Sequence, residues 1–349
     1  MITTRRILFL YTELAEYVLA CIEQLEKEDV EVHVVRFPVN SEAPFEFRQL
    51  AKTKIYDRSK FDKDQLQKLA EDINPHIILC SGWIDKGYLN ICRQAKSKTP
   101  TVLLLDNQWE GGIKQRIATI ASPFFLKSKF TKAWVPGAPQ KEFAQHLGFK
   151  DISTGFYCAD THLFETAGAS RNRSIAEHYP KKLLFVGRYL EFKGIFDLWK
   201  AFIELHDEGV DDWELICAGT GDLWDERIEH PAIRHMGFIQ PAELLELVKE
   251  TGAFVLPSHR EPWGVVVHEM AAAGLPMVCS STIGAATMFL EEGANGFFHQ
   301  AGDQADLKVA LKRMMSSSKE DLILMGESSL EKSKSISPQI WTKTLLELL

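Results

Sequence analysis

Two glutamates separated by seven residues, Glu261 and Glu269, carry the clearest chemical signal in the sequence. They bracket a loop within FVLPSHREPWGVVVHEMAAAGLPMVC (254–279), whose pattern predicts a strand, a charged loop, a helix over 265–273 and a second strand. Ligands of open α/β sheets bind at the carboxyl ends of strands. A loop and helix N-terminus between two acids can hold a phosphate on backbone N–H groups and hydroxyls on the carboxylates.

A second group of reactive side chains lies upstream, where a predicted strand at 182–186 is followed by Gly187, Arg188 and Lys193. Two cations five positions apart on a strand-to-helix loop can converge on a diphosphate, with the helix N-terminus behind them. For either cation alone, a solvated loop charge is the alternative interpretation.

The elements that position these residues alternate between strand-like and helix-like patterns in both halves of the chain. The pattern predicts two doubly wound α/β domains with parallel sheets, over residues 1–165 and 180–337. The segment 159–180 is polar, small and aperiodic, and we interpret it as a linker or a surface excursion between the domains. Strand 1 is not followed by a GxGxxG turn, so a dinucleotide fingerprint is not supported there.

Composition narrows the class of protein. The 349 residues are 45% hydrophobic and 25% charged, as in a soluble globular protein, and the formal charge of −8 argues against a nucleic-acid partner. The six cysteines are scattered without a CxxC pair, which indicates reduced core thiols and no metal site. Without a spanning apolar run or a signal peptide, we expect a cytoplasmic protein.

The stretch 182–315 resembles the donor-binding domain of family 4 retaining glycosyltransferases, which have the GT-B fold. The matching segments are VGRYLEFKG, ELICAGTGD, IRHMGFI, the E-x7-E stretch with its following glycine turn, and EEGANGFFHQAGD. The resemblance implies two Rossmann-like domains facing across a cleft. It also implies that the terminal helix, 338–349, packs back on the first domain.

Carried over position by position, the resemblance assigns Arg188 and Lys193 to the donor diphosphate and its developing charge. Glu269 would accept hydrogen bonds from the ribose hydroxyls, and Glu261 would contact the donor sugar. A buried structural acid is the alternative interpretation of Glu269. The remaining donor-binding positions implied by the family are Gly187 on the loop of Arg188 and Lys193, Gly237 and Phe238 along the nucleobase, and Gly264, Val265 and Val266 at the helix N-terminus.

The first domain departs from the family pattern. Members often carry a glycine-rich loop after strand 1 and a histidine after a later strand, whereas this chain has Glu13 and Asp106 at those places. Asp106 is the candidate catalytic residue there, and a cap of the next helix is an equally good interpretation. Transfer with retention by a front-side mechanism needs positioning and charge stabilisation more than a base.

The sequence therefore predicts a hexosyl- or related glycosyltransferase of polysaccharide biosynthesis. It would move a sugar from a nucleotide-diphosphate donor, most simply a UDP-sugar, to a glycan or lipid-linked acceptor, with retention and without a metal cofactor. A nucleotide-sugar epimerase of GT-B type and a catalytically silent nucleotide-sugar-binding subunit are the alternatives.

Residues 111–150 carry an unusual charge pattern for an acidic chain, with seven Lys or Arg residues against a single acid, Glu142. Apolar and aromatic residues are interleaved with the cations. The pattern predicts a peripheral contact with anionic lipid at the inner face of the membrane. Two amphipathic helices with solvated lysines are the alternative.

Overall fold

A computed structural model describes residues 4–38, 48–175 and 178–349 of the chain. The chain divides into two compact units, of which the first comprises Met1–Cys158 and Ile336–Leu349 and the second Ala159–Ser335. The boundary therefore falls before Ala159, ahead of the predicted 165.

The first unit contains a seven-stranded parallel sheet. Its strands are β1 (Arg5–Tyr11), β2 (Val30–Arg36), β3 (Lys54–Asp57), β4 (Ile77–Ser81), β5 (Thr101–Leu104), β6 (Lys132–Trp134) and β7 (Ile152–Ser153), and its first helices are α1 (Glu16–Leu25), α2 (Lys63–Ile73), α3 (Lys86–Ala95), α4 (Ile113–Phe125) and α5 (Ala138–His146). The strand order is β3-β2-β1-β4-β5-β6-β7. Continuous apolar runs such as Ile7–Tyr11 are fully buried because helices cover both faces of the sheet.

The second unit contains a six-stranded parallel sheet in the order β10-β9-β8-β11-β12-β13. Its strands are β8 (Lys182–Val186), β9 (Glu214–Ala218), β10 (Ile233–Gly237), β11 (Ala253–Leu256), β12 (Met277–Ser280) and β13 (Gly296–His299), and its helices are α6 (Thr161–Ile175), α7 (Ile195–Asp207), α8 (Pro241–Lys249), α9 (Val265–Ala272), α10 (Ala286–Phe289), α11 (Gln304–Met315) and α12 (Lys319–Ser333). The order reverses between β8 and β11, which makes their carboxyl ends the topological switch point. The predicted α/β class with two doubly wound domains is confirmed.

The terminal helix α13 (Pro338–Leu348) belongs to the first unit. Trp341 is buried there, with its indole N–H donating to the Phe156 carbonyl at 2.8 Å and its ring 5.0 Å from that of Trp134. A buried indole with a satisfied donor ties the end of the chain to the sheet of this unit.

The linker predicted over 159–180 is wrong, because most of that segment forms helix α6. Its small residues allow close packing: a Cβ on Gly168 would lie under 3.0 Å from the Ala273 carbonyl oxygen. Its polar residues are partly internal, since Arg171 is 2% exposed and donates to the Gly274 carbonyl at 2.7 Å. A helix held by small residues and a buried arginine lacks the apolar period that sequence patterns detect.

Smaller differences follow from local contacts. Between β9 and β10 the chain forms a short 3₁₀ turn, Trp224–Glu226, and Gly296 begins strand β13. A Cβ on Gly296 would lie under 3.0 Å from the Met277 carbonyl oxygen, so glycine at this position permits the close approach to β12.

Candidate functional site

The switch point of the second sheet brings together the two motifs that the sequence showed separately. Lys193, at the end of the loop after β8, forms an ion pair through Nζ with the carboxylate of Glu261 in the loop after β11. The two side chains are 16% and 13% exposed, so the pair is largely shielded from water. A cation and an acid that are 68 positions apart in sequence therefore form one polar centre at the carboxyl ends of the central strands.

The two loops approach each other because Gly194 lacks a side chain. Gly194 has φ +68° at the start of α7, and a Cβ there would lie under 3.0 Å from the Pro257 carbonyl oxygen. Two further contacts fix the approach: the His259 backbone N–H donates to the Phe192 carbonyl at 2.8 Å, and His259 Nε2 lies 2.6 Å from Asp197 Oδ2. Backbone contacts between the two loops, as well as the attraction of opposite charges, therefore hold Lys193 opposite Glu261.

We expect Gly194→Ala to lower the free energy of unfolding by about 3 kcal/mol, since it adds left-handed backbone strain and a clash with a carbonyl. Gly209→Ala is the matched control, because Gly209 also has positive φ, +89°, but open space around the added Cβ. That variant should lose only about 1 kcal/mol. Urea denaturation of both proteins measures the difference; equal losses would contradict the close approach of the two loops.

Three neighbouring loops meet through glycine backbone. A Cβ on Gly219 would lie under 3.0 Å from the Gly187 carbonyl oxygen, and the Gly219 N–H donates to the Gly237 carbonyl at 2.8 Å. The loops after β8, β9 and β10 are therefore joined at the level of the main chain. Such a surface lets a ligand come close to the peptide backbone.

The other predicted residues of this edge lie beside these glycines. Arg188 is exposed in the loop after β8, and Gly237 ends β10 with φ +70°, followed directly by Phe238. Trp224, which was not predicted from the sequence, also lies here: its ring would be 3.7 Å from a Cβ on Gly237, and the Arg227 guanidinium lies over it at 4.6 Å. An aromatic residue in a short turn between β9 and β10 was the signal available for it.

The N-terminus of α9 is shaped by Gly264, which has φ +86° and packs against Glu261. A Cβ on Gly264 would lie 3.0 Å from Glu261 Cγ, so a side chain at this position would push against the acid. Val265 and Val266 form the first turn and are half-buried. The first N–H groups of a helix have no intrahelical acceptor and favour an anion.

Glu269 lies on the next turn of α9 and is half-buried. Burial, and secondarily the carboxylate of Asp160, raise the pKa of Glu269 to about 7. Among the residues that the structure describes, no group donates a hydrogen bond to its carboxylate. Burial without a hydrogen-bond donor is costly for a carboxylate, so the ionised form of Glu269 is disfavoured.

The preceding residue, His268, has the opposite character. Its Nδ1 accepts from the Ala159 N–H at 3.1 Å, its Nε2 donates to the Ser333 carbonyl at 3.0 Å, and its ring stacks on Phe289 with a centroid distance of 4.1 Å. The two ring nitrogens therefore hold the segment before α6 and the last residue of α12. His268 is therefore a structural residue of α9.

The first unit has its own cavity, about 490 Å³, at the carboxyl ends of β1, β4 and β5. Asp106 and Glu13 both line it, as do Thr12, Ser81 and Tyr157. The Tyr157 hydroxyl donates to Asp106 Oδ2 at 3.1 Å, and burial together with Tyr17 and Asp106 raises the pKa of Tyr157 well above its usual range. The phenol therefore remains a hydrogen-bond donor to the carboxylate.

The alternative that Asp106 caps the next helix is wrong, since the N-cap of α4 is Gly112. The cavity instead combines two carboxylates, hydroxyls and aromatic rings, which are groups that bind sugars. Its volume is in the range of small-molecule sites.

Within the described ranges, no group of three or more His, Cys, Asp or Glu side chains is arranged to hold a metal ion. The six cysteines are buried free thiols.

Known proteins are similar to the same regions of the chain. The family profile described as "Glycosyl transferases group 1" matches residues 180–317. Glycogen synthase of Mycobacterium tuberculosis (strain ATCC 25618 / H37Rv) is 35% identical over 143 residues, covering 39% of this chain and 34% of that protein. D-inositol 3-phosphate glycosyltransferase of Corynebacterium glutamicum (strain R) is 28% identical over 182 residues, covering 49% and 42% respectively.

The chain thus spans 34% of the length of the glycogen synthases that it matches. Lys193, Glu261 and Glu269 all lie within the part of the chain that matches this profile.

Solved structures match over nearly the whole chain. Anabaena Alr3699/HepE in complex with UDP and glucose aligns with a TM-score of 0.73 at 15% identity, covering 98% of both chains. Sucrose-phosphate synthase from Thermosynechococcus elongatus aligns with a TM-score of 0.73 at 16% identity, covering 99% of this chain and 98% of that one. At this identity the likeness shows the fold, which is GT-B with two Rossmann-like domains.

Proposed function

We propose that this chain is a glycosyltransferase that moves a sugar from a nucleotide-diphosphate donor to a glycan or lipid-linked acceptor, with retention of anomeric configuration. The observation that carries the proposal is the Lys193–Glu261 pair at the switch point of the second sheet. It joins a cation suited to a diphosphate to an acid suited to sugar hydroxyls, at the place where nucleotides bind to doubly wound sheets.

The cationic side of the site would hold the leaving group. The Lys193 ammonium has three donors, so it can keep Glu261 and still donate to a phosphate oxygen. Arg188, on the same loop, adds a guanidinium with fork geometry. Together they would stabilise the negative charge that develops on the diphosphate as the glycosidic bond breaks, in the role often given to a divalent cation.

The remaining donor contacts follow from the positions of the other residues. Glu269 would accept both ribose hydroxyls, and the first N–H groups of α9, at Val265 and Val266, would meet the phosphate or sugar. Gly237 and Phe238 would run along the nucleobase, Gly187 would bring the loop of Arg188 and Lys193 close to the donor, and Gly264 keeps the start of α9 free of a side chain.

The acceptor side would be the cavity of the first unit. Asp106, held by Tyr157 and accompanied by Glu13, would bind an acceptor hydroxyl and orient it. In a front-side transfer the leaving phosphate oxygen takes the acceptor proton, so Asp106 acts by positioning and by its charge.

We infer a UDP-sugar as the donor and a cytoplasmic role in polysaccharide biosynthesis. The structure of Alr3699/HepE holds UDP and glucose, and its fold likeness supports the same donor class here.

The proposal is tested by thermal unfolding with UDP, GDP and ADP and their sugars, followed by analysis of products from donor and acceptor mixtures. We expect one nucleotide to raise the unfolding temperature and its sugar to appear on an acceptor. Sugar interconversion without transfer would identify an epimerase instead. Binding without turnover over a broad acceptor set would identify a silent subunit, and no binding of any nucleotide would contradict the site.

A further inference from the structure

Helix α4 presents large apolar side chains to solvent. Ile113, Ile117, Ile120 and Phe124 are 79%, 61%, 78% and 86% exposed. Their spacing of four, three and four residues places them within about 60° of arc on one side of the helix. We name these four residues the α4 stripe. A contiguous exposed apolar stripe on a soluble domain marks an interaction surface.

The opposite side of the helix fixes it to the first unit. Ser122 is the one α4 residue recorded as buried, and its hydroxyl donates to the Leu147 carbonyl at 2.6 Å. Leu126, directly after the helix, is 2% exposed and belongs to the core. The α4 stripe therefore points outward from an anchored helix.

Charge identifies the partner. Lys114 and Arg116 project on either side of the α4 stripe, about 90° and 70° from its centre. Both are exposed, and among the described residues neither forms an ion pair with an acid, although Arg116 Nε donates to the Gly111 carbonyl at 2.8 Å. Helix α4 itself contains no acid. Apolar residues in the middle with cations on both flanks are the pattern of a helix lying in an anionic lipid interface.

The structure narrows the basic region predicted over 111–150. Phe130 is buried in the core, and Lys132 lies in β6 with its Nζ 3.2 Å from the Leu348 carbonyl oxygen and 3.6 Å from Asp151 Oδ2. Lys129 Nζ donates to the Phe125 carbonyl. These three side chains make contacts within the first unit, whereas the α4 stripe is exposed to solvent.

We infer that α4 binds the surface of a bilayer containing anionic lipid, with the α4 stripe inserted among the acyl chains and Lys114 and Arg116 at the phosphates. No helix in the described part of the chain is long and apolar enough to cross a membrane, so α4 makes this contact from one side. A second copy of the chain fits less well, because paired stripes would also bring like charges together.

Vesicle co-sedimentation of the full chain tests the inference, using phosphatidylglycerol with phosphatidylcholine at about 3:7 against phosphatidylcholine alone. The wild type should bind the anionic vesicles, less strongly at high salt. Replacing Ile117, Ile120 and Phe124 by Gln should weaken binding at least about tenfold at every salt concentration. Replacing Lys114 and Arg116 by Gln should remove the preference for anionic vesicles.

The matched control replaces Val309 and Leu324 by Gln, two other exposed apolar residues at 57% and 61% exposure, and should bind as the wild type does. Unchanged sedimentation of the stripe variant would overturn the inference. The inference would also be overturned if the wild type did not bind vesicles but formed a dimer in light scattering, and the stripe variant were monomeric. All variants should keep the wild-type unfolding temperature, and the result stands whether or not a nucleotide binds.

Discussion

Replacing Lys193 by alanine is expected to lower kcat for sugar transfer by about 10²–10³-fold, the loss typical of removing one preorganised charge-stabilising group. The reason is its location: the ammonium is largely shielded from water at the switch point and is held in place by Glu261. In such surroundings a cation interacts more strongly with developing phosphate charge than it would in water. The control is Lys200→Ala, which replaces an exposed lysine on the following helix and should leave kcat unchanged.

Substitution of Glu261, the acid paired with Lys193, provides a second test of the ion pair. Glu261→Ala should also reduce turnover, both by removing a sugar contact and by leaving Lys193 without its acid. Because the two side chains act as one pair, the double variant should lose much less than the product of the single losses. Initial rates at saturating donor measure this; independent, multiplicative losses, or single variants with more than half of wild-type activity, would contradict the pairing.

The sequence predicted the frame of this site well because strand periodicity is a local property. The segment 182–186, continuous and apolar, coincides with β8, and the helix expected over 265–273 is α9 ending one residue earlier. Buried parallel strands show themselves in any short window of sequence.

Helix α6 shows where that reasoning fails. Its Gly168 and Arg171 are buried by contacts with Ala273 and Gly274, which lie about a hundred residues later. Neither residue looks internal when read alone, since glycine is neutral in such patterns and arginine is usually exposed. A helix whose packing depends on distant backbone cannot be recognised from its own composition.

The sequence named the candidate residues but could not predict how they are arranged. Lys193 and Glu261 were assigned from separate motifs, and their contact depends on Gly194 meeting the Pro257 carbonyl. For Glu269, sequence left a structural acid and a ligand contact both open. The burial of Glu269 and the nearby Asp160 carboxylate, which raise its pKa, come from tertiary structure and could not be predicted from the sequence.

Glu269→Gln is expected to stabilise the free protein while weakening nucleotide binding. The pKa of Glu269 is about 7 in the folded chain, above its ordinary value of 4.5, so the folded state holds the proton more tightly than the unfolded state does. The destabilising effect of the charged carboxylate is therefore absent near pH 4.5, grows as the pH rises toward 7 and is complete above it. At pH 8 the glutamine variant should be more stable by up to about 3 kcal/mol, and near pH 4.5 the two proteins should be equal.

Binding should change in the opposite direction, because only the ionised carboxylate can accept both ribose hydroxyls. Wild-type affinity for UDP should rise as the pH passes 7, and Glu269→Gln should abolish that rise and weaken binding at pH 8 by about tenfold or more. Denaturation across pH and calorimetric titration measure the two effects, with Glu327→Gln, an exposed acid on α12, as the control. A structural acid satisfied within the fold would give the reverse: a less stable variant that binds UDP normally. Greater stability together with weaker binding means that the fold keeps a costly carboxylate because the ligand supplies its partner.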